Sequence, residues 1–215
     1  MNTSSRSYTQ WEERANWLTH GLGVVLSVAG AVFVFWTLAH REQSSAAMWI
    51  SAAVYTAAMI LLYSISTLYH YIEQERWKQY FRLMDHSAIY VKIAGTYTPF
   101  LLLVFPQSYG YEMLIAIWSI TIGGILFKLF SVKRFNIVST LLYLAMGWMA
   151  VLFIQPLYQS LSREVFIYVI AGGACFSLGV IFYLMKSVRY SHSIWHVFVM
   201  GGSAFHYAGI YLLLS

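Results

Sequence analysis

The 215-residue chain is poor in charge and nearly free of cysteine. Only 10% of its residues are Asp, Glu, Lys or Arg, whereas a soluble domain carries about 25%. That is too few ionic groups to keep a surface wet, so lipid must cover the outside. The single cysteine, Cys175, lies in an apolar stretch. It excludes a disulfide framework and a thiolate metal site, and it reads as a small buried hydrophobe. No small-residue cleavage site follows the first apolar run, so that run is a retained helix rather than a signal peptide. The connections between apolar runs are short and leave no room for a separate soluble domain or a linker. The formal net charge of +5 does not argue for nucleic acid, because the basic residues sit in those short loops, as they do in membrane proteins.

What the chain has in abundance is apolar length: 60% of its residues are hydrophobic. Crossing the hydrocarbon core takes about 20 apolar residues in a helix. Uncharged runs of that kind predict spans at about 17–39, 45–70, 85–105, 111–130, 135–155, 165–186 and 193–214. The third is interrupted by Lys92, and the fourth is extended by letting Lys128 snorkel to the interface. The expected fold is all-α, a polytopic seven-transmembrane-helix bundle over 17–215 preceded by a segment 1–16. With the N-terminus inside, the inner segments hold Arg6, Arg14, Arg76, Lys78, Arg82, Lys128, Lys133, Arg134, Lys186 and Arg189. The outer loops hold only Arg41 and Arg163. This asymmetry sets a cytoplasmic N-terminus and an extracytoplasmic C-terminus.

Seven histidines in so apolar a chain need a reason, because ionisable groups inside a membrane are costly. His70 ends the second span, Asp85 and His86 open the third, and His192 and His196 open the seventh. Asn16 and His20 open the first. All lie on the cytoplasmic side by a charge count that did not use them. His192 and His196 are four apart, so both imidazoles share one helix face. That spacing suits two zinc ligands on one helix, and it is equally what a solvated helix end shows. His70, at the same depth, supplies a third ligand. Three neutral imidazoles with an open fourth position describe a catalytic type of zinc site. Asp85 would then hold or deprotonate water, and Ser66, one turn from His70, would hydrogen-bond a substrate or ligand. His206 lies about 15 Å deeper than His196 and reads as an interhelical hydrogen bond, and His40 as a solvated surface group. Lys92, about 10 Å below Asp85 on roughly the same face, either pairs with a carboxylate or snorkels. Pro99 frees backbone carbonyls within the third span, to be satisfied by neighbours or a wet cavity.

The pattern Glu13-x-x-Asn16-x-x-x-His20, Ser66-x-x-x-His70, Asp85 and His192-x-x-x-His196 resembles, in order, the motifs of the hemolysin III proteins. These are the bacterial branch of the progestin and adipoQ receptor family. The resemblance runs over essentially the whole chain, including the stretches Ser66-Thr67-Leu68-Tyr69-His70 and Ala94-Gly95-Thr96-Tyr97-Thr98-Pro99-Phe100. It implies seven helices, a cytoplasmic N-terminus and a zinc ion on the cytoplasmic side. The zinc would be ligated by His70, His192 and His196, with Asp85 beside the zinc-bound water and Ser66 close by. Lys92 falls where relatives are expected to be apolar.

The resemblance implies a multi-pass protein of the bacterial inner (cell) membrane whose partners are membrane lipids, not nucleic acid. No pattern in the chain specifies an oligomeric state. Members are associated with haemolysis, receptor function, ceramide hydrolysis and membrane energetics, so a family name alone does not fix a reaction. The first expectation is a zinc hydrolase of a lipid amide or ester, with Asp85 as general base and Ser66 assisting. The alternative is a sensor of membrane state in which structural zinc clamps the second and seventh helices. A cytolytic pore is disfavoured, because a pore lining should be polar through its whole depth and these polar residues gather at one end. A retinal-based pump is disfavoured because the last span has no lysine.

Overall fold

The structure is a computed structural model that describes residues 8–130 and 136–215. Arg6, Lys133 and Arg134 of the inner basic set, and Phe135 at the expected start of the fifth span, lie outside the described residues. Those described form eight α-helices and one 3-10 helix, without a strand among them. They are α1 (Gln10–His40), α2 (Ala46–Tyr71), α3 (Glu75–Leu103), α4 (Gln107–Phe130), α5 (Asn136–Gly147), α6 (Ile154–Ser160), α7 (Arg163–Leu184) and α8 (Ser191–Leu214). The 3-10 segment, Trp148–Phe153, joins α5 to α6.

Helix starts are set by local chemistry. Thr9 accepts from the Glu12 backbone N–H at 3.3 Å, and the Glu12 carboxylate returns to the Thr9 N–H at 2.9 Å. This capping box satisfies donors that no helix can satisfy itself. It starts α1 at Gln10, inside the stretch read from sequence as an N-terminal segment. Ser45 and Ser162 cap α2 and α7 in the same way. α3 begins at Glu75, ten residues before the expected span, because the charged turns ahead of Asp85 continue the same helix in the polar zone.

Six segments are long and apolar enough to cross a membrane: α1, α2, α4, the combined stretch Val138–Ser160, α7 and α8. The protein is therefore a multi-pass helical membrane protein. α3 is 29 residues long but more polar, with Asp85 and Lys92 buried in the bundle. α2 packs between α1 and α3, α4 packs on α3, and α8 packs on both α7 and α1. On α1 the buried seam is narrow, and its middle is built of the small residues Gly23, Ser27 and Ala31, between Asn16 and His20 on one side and Val34 and Leu38 on the other. Such residues let backbones approach closely where lipid offers no hydrophobic drive for helix association. The other face of α1 exposes Leu22, Val25, Val32 and Trp36, the surface expected against acyl chains.

The fifth span departs from the continuous helix expected over 135–155. Its middle tightens into the 3-10 segment and Phe153 leaves helical geometry (φ −129°, ψ 31°). Tyr97 of α3 makes this break tolerable. Its hydroxyl accepts from the Ala150 N–H at 2.9 Å and donates to the Gly147 carbonyl at 2.9 Å. Backbone groups freed from a helix need such partners at membrane depth. Contact between α7 and the fifth span is sparse, made by α6 and by the Trp148 indole N–H that donates to Ser177 Oγ at 2.9 Å, and it leaves a gap between them. At the opposite ends of the chain's helices, the Arg41 guanidinium donates to the carbonyls of Leu214 (2.8 Å) and Ser215 (2.5 Å), holding the α1–α2 connection to the end of α8.

Removing the Tyr97 hydroxyl strands one donor and one acceptor. Tyr97→Phe should cost about 1–3 kcal/mol, seen as a lower unfolding temperature in detergent. Tyr158→Phe, at an exposed position, should leave that temperature unchanged.

Candidate metal centre

Three imidazoles from two helices meet at one end of the bundle. His70 comes from the last turn of α2, and His192 and His196 from the first two turns of α8. One nitrogen from each lies within 4.8 Å of the others. The Nε2 atoms of His70 and His192 are 3.2 Å apart, close to the separation of about 3.3 Å that two 2.0–2.1 Å bonds impose at a tetrahedral ion.

The Nδ1 atoms of His70 and His196 are held by α1. Glu13 Oε2 accepts from His70 Nδ1 at 2.6 Å. The other Glu13 oxygen accepts from Lys78 Nζ of α3 at 2.6 Å. His196 Nδ1 faces the Asn16 carbonyl at 3.2 Å and the Thr19 hydroxyl at 3.1 Å. A hydrogen bond on Nδ1 leaves the Nε2 lone pair free, the arrangement metal-binding histidines use. His196 Nε2 is buried and has no hydrogen-bond partner among the described residues. A buried orphan nitrogen is costly. A cation shared with the facing nitrogens would satisfy it, so the donor set fits a metal ion.

The surroundings fix the rings further. His20 stacks on His196 with centroids 3.5 Å apart. The Asn16 side-chain oxygen accepts from Ser193 at 2.5 Å. Tyr8 packs against His192 and His70, at ring-centroid distances of 5.2 and 6.1 Å. Burial, and after it Tyr183 and the nearby carboxylates, push the Tyr8 phenol well above its usual range, so it stays neutral.

Two spaces meet here. A polar cleft of about 1230 Å³ is lined by His70, His192, Glu13, Lys78 and Arg82 among others. An apolar cavity of about 210 Å³ runs along α3 to Phe100 and His206. Asp85, Ile89, Tyr183 and Trp195 line both. Trp148, Val151 and Ile170 line the apolar cavity and are also exposed at the protein surface, which places its mouth at the gap beside α7.

Of the residues singled out from sequence, His70, His192 and His196 come together as a set. Asp85 is on the shared wall but its carboxylate is not one of the converging groups. Ser66 is buried one turn before His70, its hydroxyl without a partner among the described residues. His206 makes the expected interhelical bond, Nε2 to the Val169 carbonyl at 3.2 Å. His40 is exposed and bonded to the Trp36 carbonyl at 2.8 Å. Lys92 neither pairs with a carboxylate nor snorkels; its ammonium sits 4.5 Å over the Phe176 ring. Lys128 is little exposed but reaches the polar cleft. The positioning roles of Glu13 and Lys78 were missed. The signal for Glu13 was present in the spacing of Glu13, Asn16 and His20, which share one helix face; nothing in the spacing points to Lys78.

Because Glu13 orients His70, Glu13→Gln should weaken binding of a divalent metal by about 10–100-fold. Competition with a chelator on the purified protein measures this.

The chain is similar to known proteins over nearly its full length. The family model described as "Haemolysin-III related" matches residues 8–207. The "Hemolysin-3 homolog" of Bacillus subtilis (strain 168) is 46% identical over 197 residues, covering 92% of each chain. "Hemolysin-3" of Bacillus cereus is 44% identical over 193 residues, covering 90% of this chain and 87% of the relative. The human "Monocyte to macrophage differentiation factor" is 27% identical over 215 residues, 96% of this chain and 86% of the relative. With the histidine cluster at one end of a multi-pass helical bundle, these similarities establish that the chain belongs to the hemolysin III family, within the progestin and adipoQ receptor superfamily.

Proposed function

We propose that the protein is a zinc-dependent hydrolase of a lipid amide or ester, seated in the cytoplasmic membrane of a bacterium. α3 is the seventh span, with Asp85 and Lys92 turned inward. The N-terminus and the histidine cluster face the cytoplasm, and the C-terminus faces outward. The observation that carries this reading is the position of Asp85. It stands on the wall shared by the polar cleft and the apolar cavity, where a lipid's headgroup linkage would meet its tail.

His70, His192 and His196 would hold the zinc ion, with Glu13 and Asn16 keeping the imidazoles in the ligating tautomer. Zinc on three imidazoles with an open position supplies a Lewis acid for a carbonyl and lowers the pKa of water to about 7. Asp85 would accept the proton of the attacking water, within hydrogen-bond reach of both spaces. The unpartnered Ser66 hydroxyl would donate to the substrate's carbonyl or amide. The apolar cavity would take an acyl chain and exclude water from it. Among the described residues no fourth His, Cys, Asp or Glu joins the three imidazoles. That supports hydrolysis over a structural clamp, since structural zinc sites are closed by protein. The confinement of the polar cluster to one end supports it over a cytolytic pore.

Purified protein should contain about one zinc per chain, lost in His70→Ala and in His192→Ala/His196→Ala. A folded wild type without zinc would remove the hydrolase reading. Asp85→Ala should keep the zinc and lose at least about 100-fold in turnover of amide- or ester-linked lipids. Unchanged turnover would take the base role from Asp85. Alkaline phosphatase fused after Ser215 should be active in the bacterial cell; an inactive fusion with a fluorescent cytoplasmic counterpart would reverse the orientation.

A further inference from the structure

Three cations from three helices gather in the polar cleft: Arg82 of α3, Lys128 in the last turn of α4, and Lys186 just past the end of α7. The charges of Arg82 and Lys186 both act on Lys128. Those of Arg82 and Lys128 both act on His86, one turn beyond Arg82. A basic residue at this depth is ordinarily explained by the lipid headgroups outside, and that is enough for the exposed Arg82 and Lys186. It does not explain Lys128. Its neighbours Phe127 and Leu129 are exposed on the outer face of α4, whereas Lys128 is 5% exposed and turns into the cleft, towards like charges. A snorkelling lysine would do the reverse.

The cleft's own carboxylates do not neutralise the cluster. Glu13 is engaged by His70 and Lys78, Glu75 accepts from Gln79 at 2.7 Å, and Glu73 is exposed in the α2–α3 connection. Asp85, one turn from Arg82, forms no ion pair with any of these cations among the described residues. Lys186 has only the Tyr183 ring, 5.8 Å away. Neither the Arg82 nor the Lys128 side chain has an ion pair or a hydrogen bond among the described residues. A buried ammonium among like charges is costly unless an anion joins it. Guanidinium and ammonium groups together suit a phosphate: arginine forks onto its oxygens and lysine adds a point charge.

The cleft meets the apolar cavity at Asp85, so an anion held by the cluster can belong to a molecule whose tail lies in that cavity. Arg82 precedes Asp85 by one turn, about 4.5 Å along α3 and on roughly the same side. In a glycerophospholipid only a few bonds separate the phosphate from the acyl ester, and the two levels match. A neutral amide or ester lipid has no group to answer the cations. We infer that Arg82, Lys128 and Lys186 form a phosphate subsite, which makes glycerophospholipids the preferred occupants of cleft and cavity together. The subsite stands on the cluster itself. Only the placement of the acyl linkage at Asp85 rests on the hydrolase reading.

Binding of dioleoylphosphatidylglycerol and dioleoylglycerol to the detergent-purified protein tests this, because the two share both chains and differ in the phosphate headgroup. The wild type should bind the phospholipid at least about tenfold more tightly, the effect of hydrogen bonds to charged groups. Lys128→Met should abolish that preference, and Arg82→Gln, at an exposed position, should reduce it. Both variants should bind dioleoylglycerol as the wild type does, which shows that the fold is kept. Arg76→Gln removes a like charge from the same end of α3 but outside the cleft, and should keep the preference; its loss there would make the effect one of general surface charge and overturn the subsite. The preference should persist in His70→Ala, where the metal site is broken, so failure of the hydrolase reading and failure of this one are separable. Inorganic phosphate at equal concentration should not displace the phospholipid. If inorganic phosphate binds alone while the two lipids bind equally, the cluster serves a soluble anion and the lipid subsite is overturned. Equal binding of the two lipids by the wild type, or an undiminished preference in Lys128→Met, overturns it as well.

Discussion

The bond between Glu13 and His70 is the interaction on which this end of the bundle depends. One carboxylate, from the first turns of α1, engages an imidazole of α2 through one oxygen and an ammonium of α3 through the other. Without it three helices would bring like polar groups together in a low-dielectric zone, with nothing to compensate their lost hydration. With it, the proton on His70 is placed on Nδ1 and the opposite lone pair is turned towards His192. Asn16, one turn on, repeats the arrangement for α8 through His196 and Ser193. The first helix thus serves as the template against which the cluster is assembled, and its seam of small residues is what lets α2 and α8 come close enough to use it.

Much of this was legible in the sequence because the membrane simplifies the problem. A scarcity of charge and runs of about 20 apolar residues specify helical spans almost without regard to tertiary context. The histidine spacing on α8, and the depth shared with His70, identified the converging set. What the sequence could not display was any property created by contact. The pairing of Glu13 with both His70 and Lys78 is one such property, and the burial of Lys92 against Phe176 is another. The irregular middle of the fifth span has a local cause, since Pro156 has no N–H and its ring crowds the Leu152 carbonyl one turn earlier; what the sequence could not display is that a tyrosine on a different helix reaches the freed backbone. α1 and α3 start before the expected spans because they continue through polar turns, and apolar runs mark the hydrocarbon core rather than the ends of the helix.

The polar and apolar spaces divide labour along one wall. On one side lie the imidazoles and a rim of lysine and arginine; on the other lie aliphatic and aromatic side chains. Asp85 belongs to both, and Lys92 lies two turns deeper on the same helix. α3 is the least apolar of the long helices because its first turns carry Glu75, Arg76, Lys78 and Arg82 in the polar zone, with Asp85 and Lys92 further in. Those two buried groups are tolerated because α2 and α4 cover its flanks.

The gap beside α7 gives the cavity an unusual reference state. Trp148, Val151 and Ile170 are at once lining and outer surface, so the space opens towards the hydrocarbon of the bilayer as well as meeting the polar cleft at Asp85. An occupant that enters from the bilayer side exchanges with a lipid tail rather than with solvent. Bulk lipid is present at concentrations approaching those of a pure liquid, so the relevant scale is mole fraction in one leaflet. On that scale strong binding would be a handicap, since it would slow exchange, and a small preference repeated over many encounters would be enough. Which chain occupies the cavity then follows the composition of the leaflet around it.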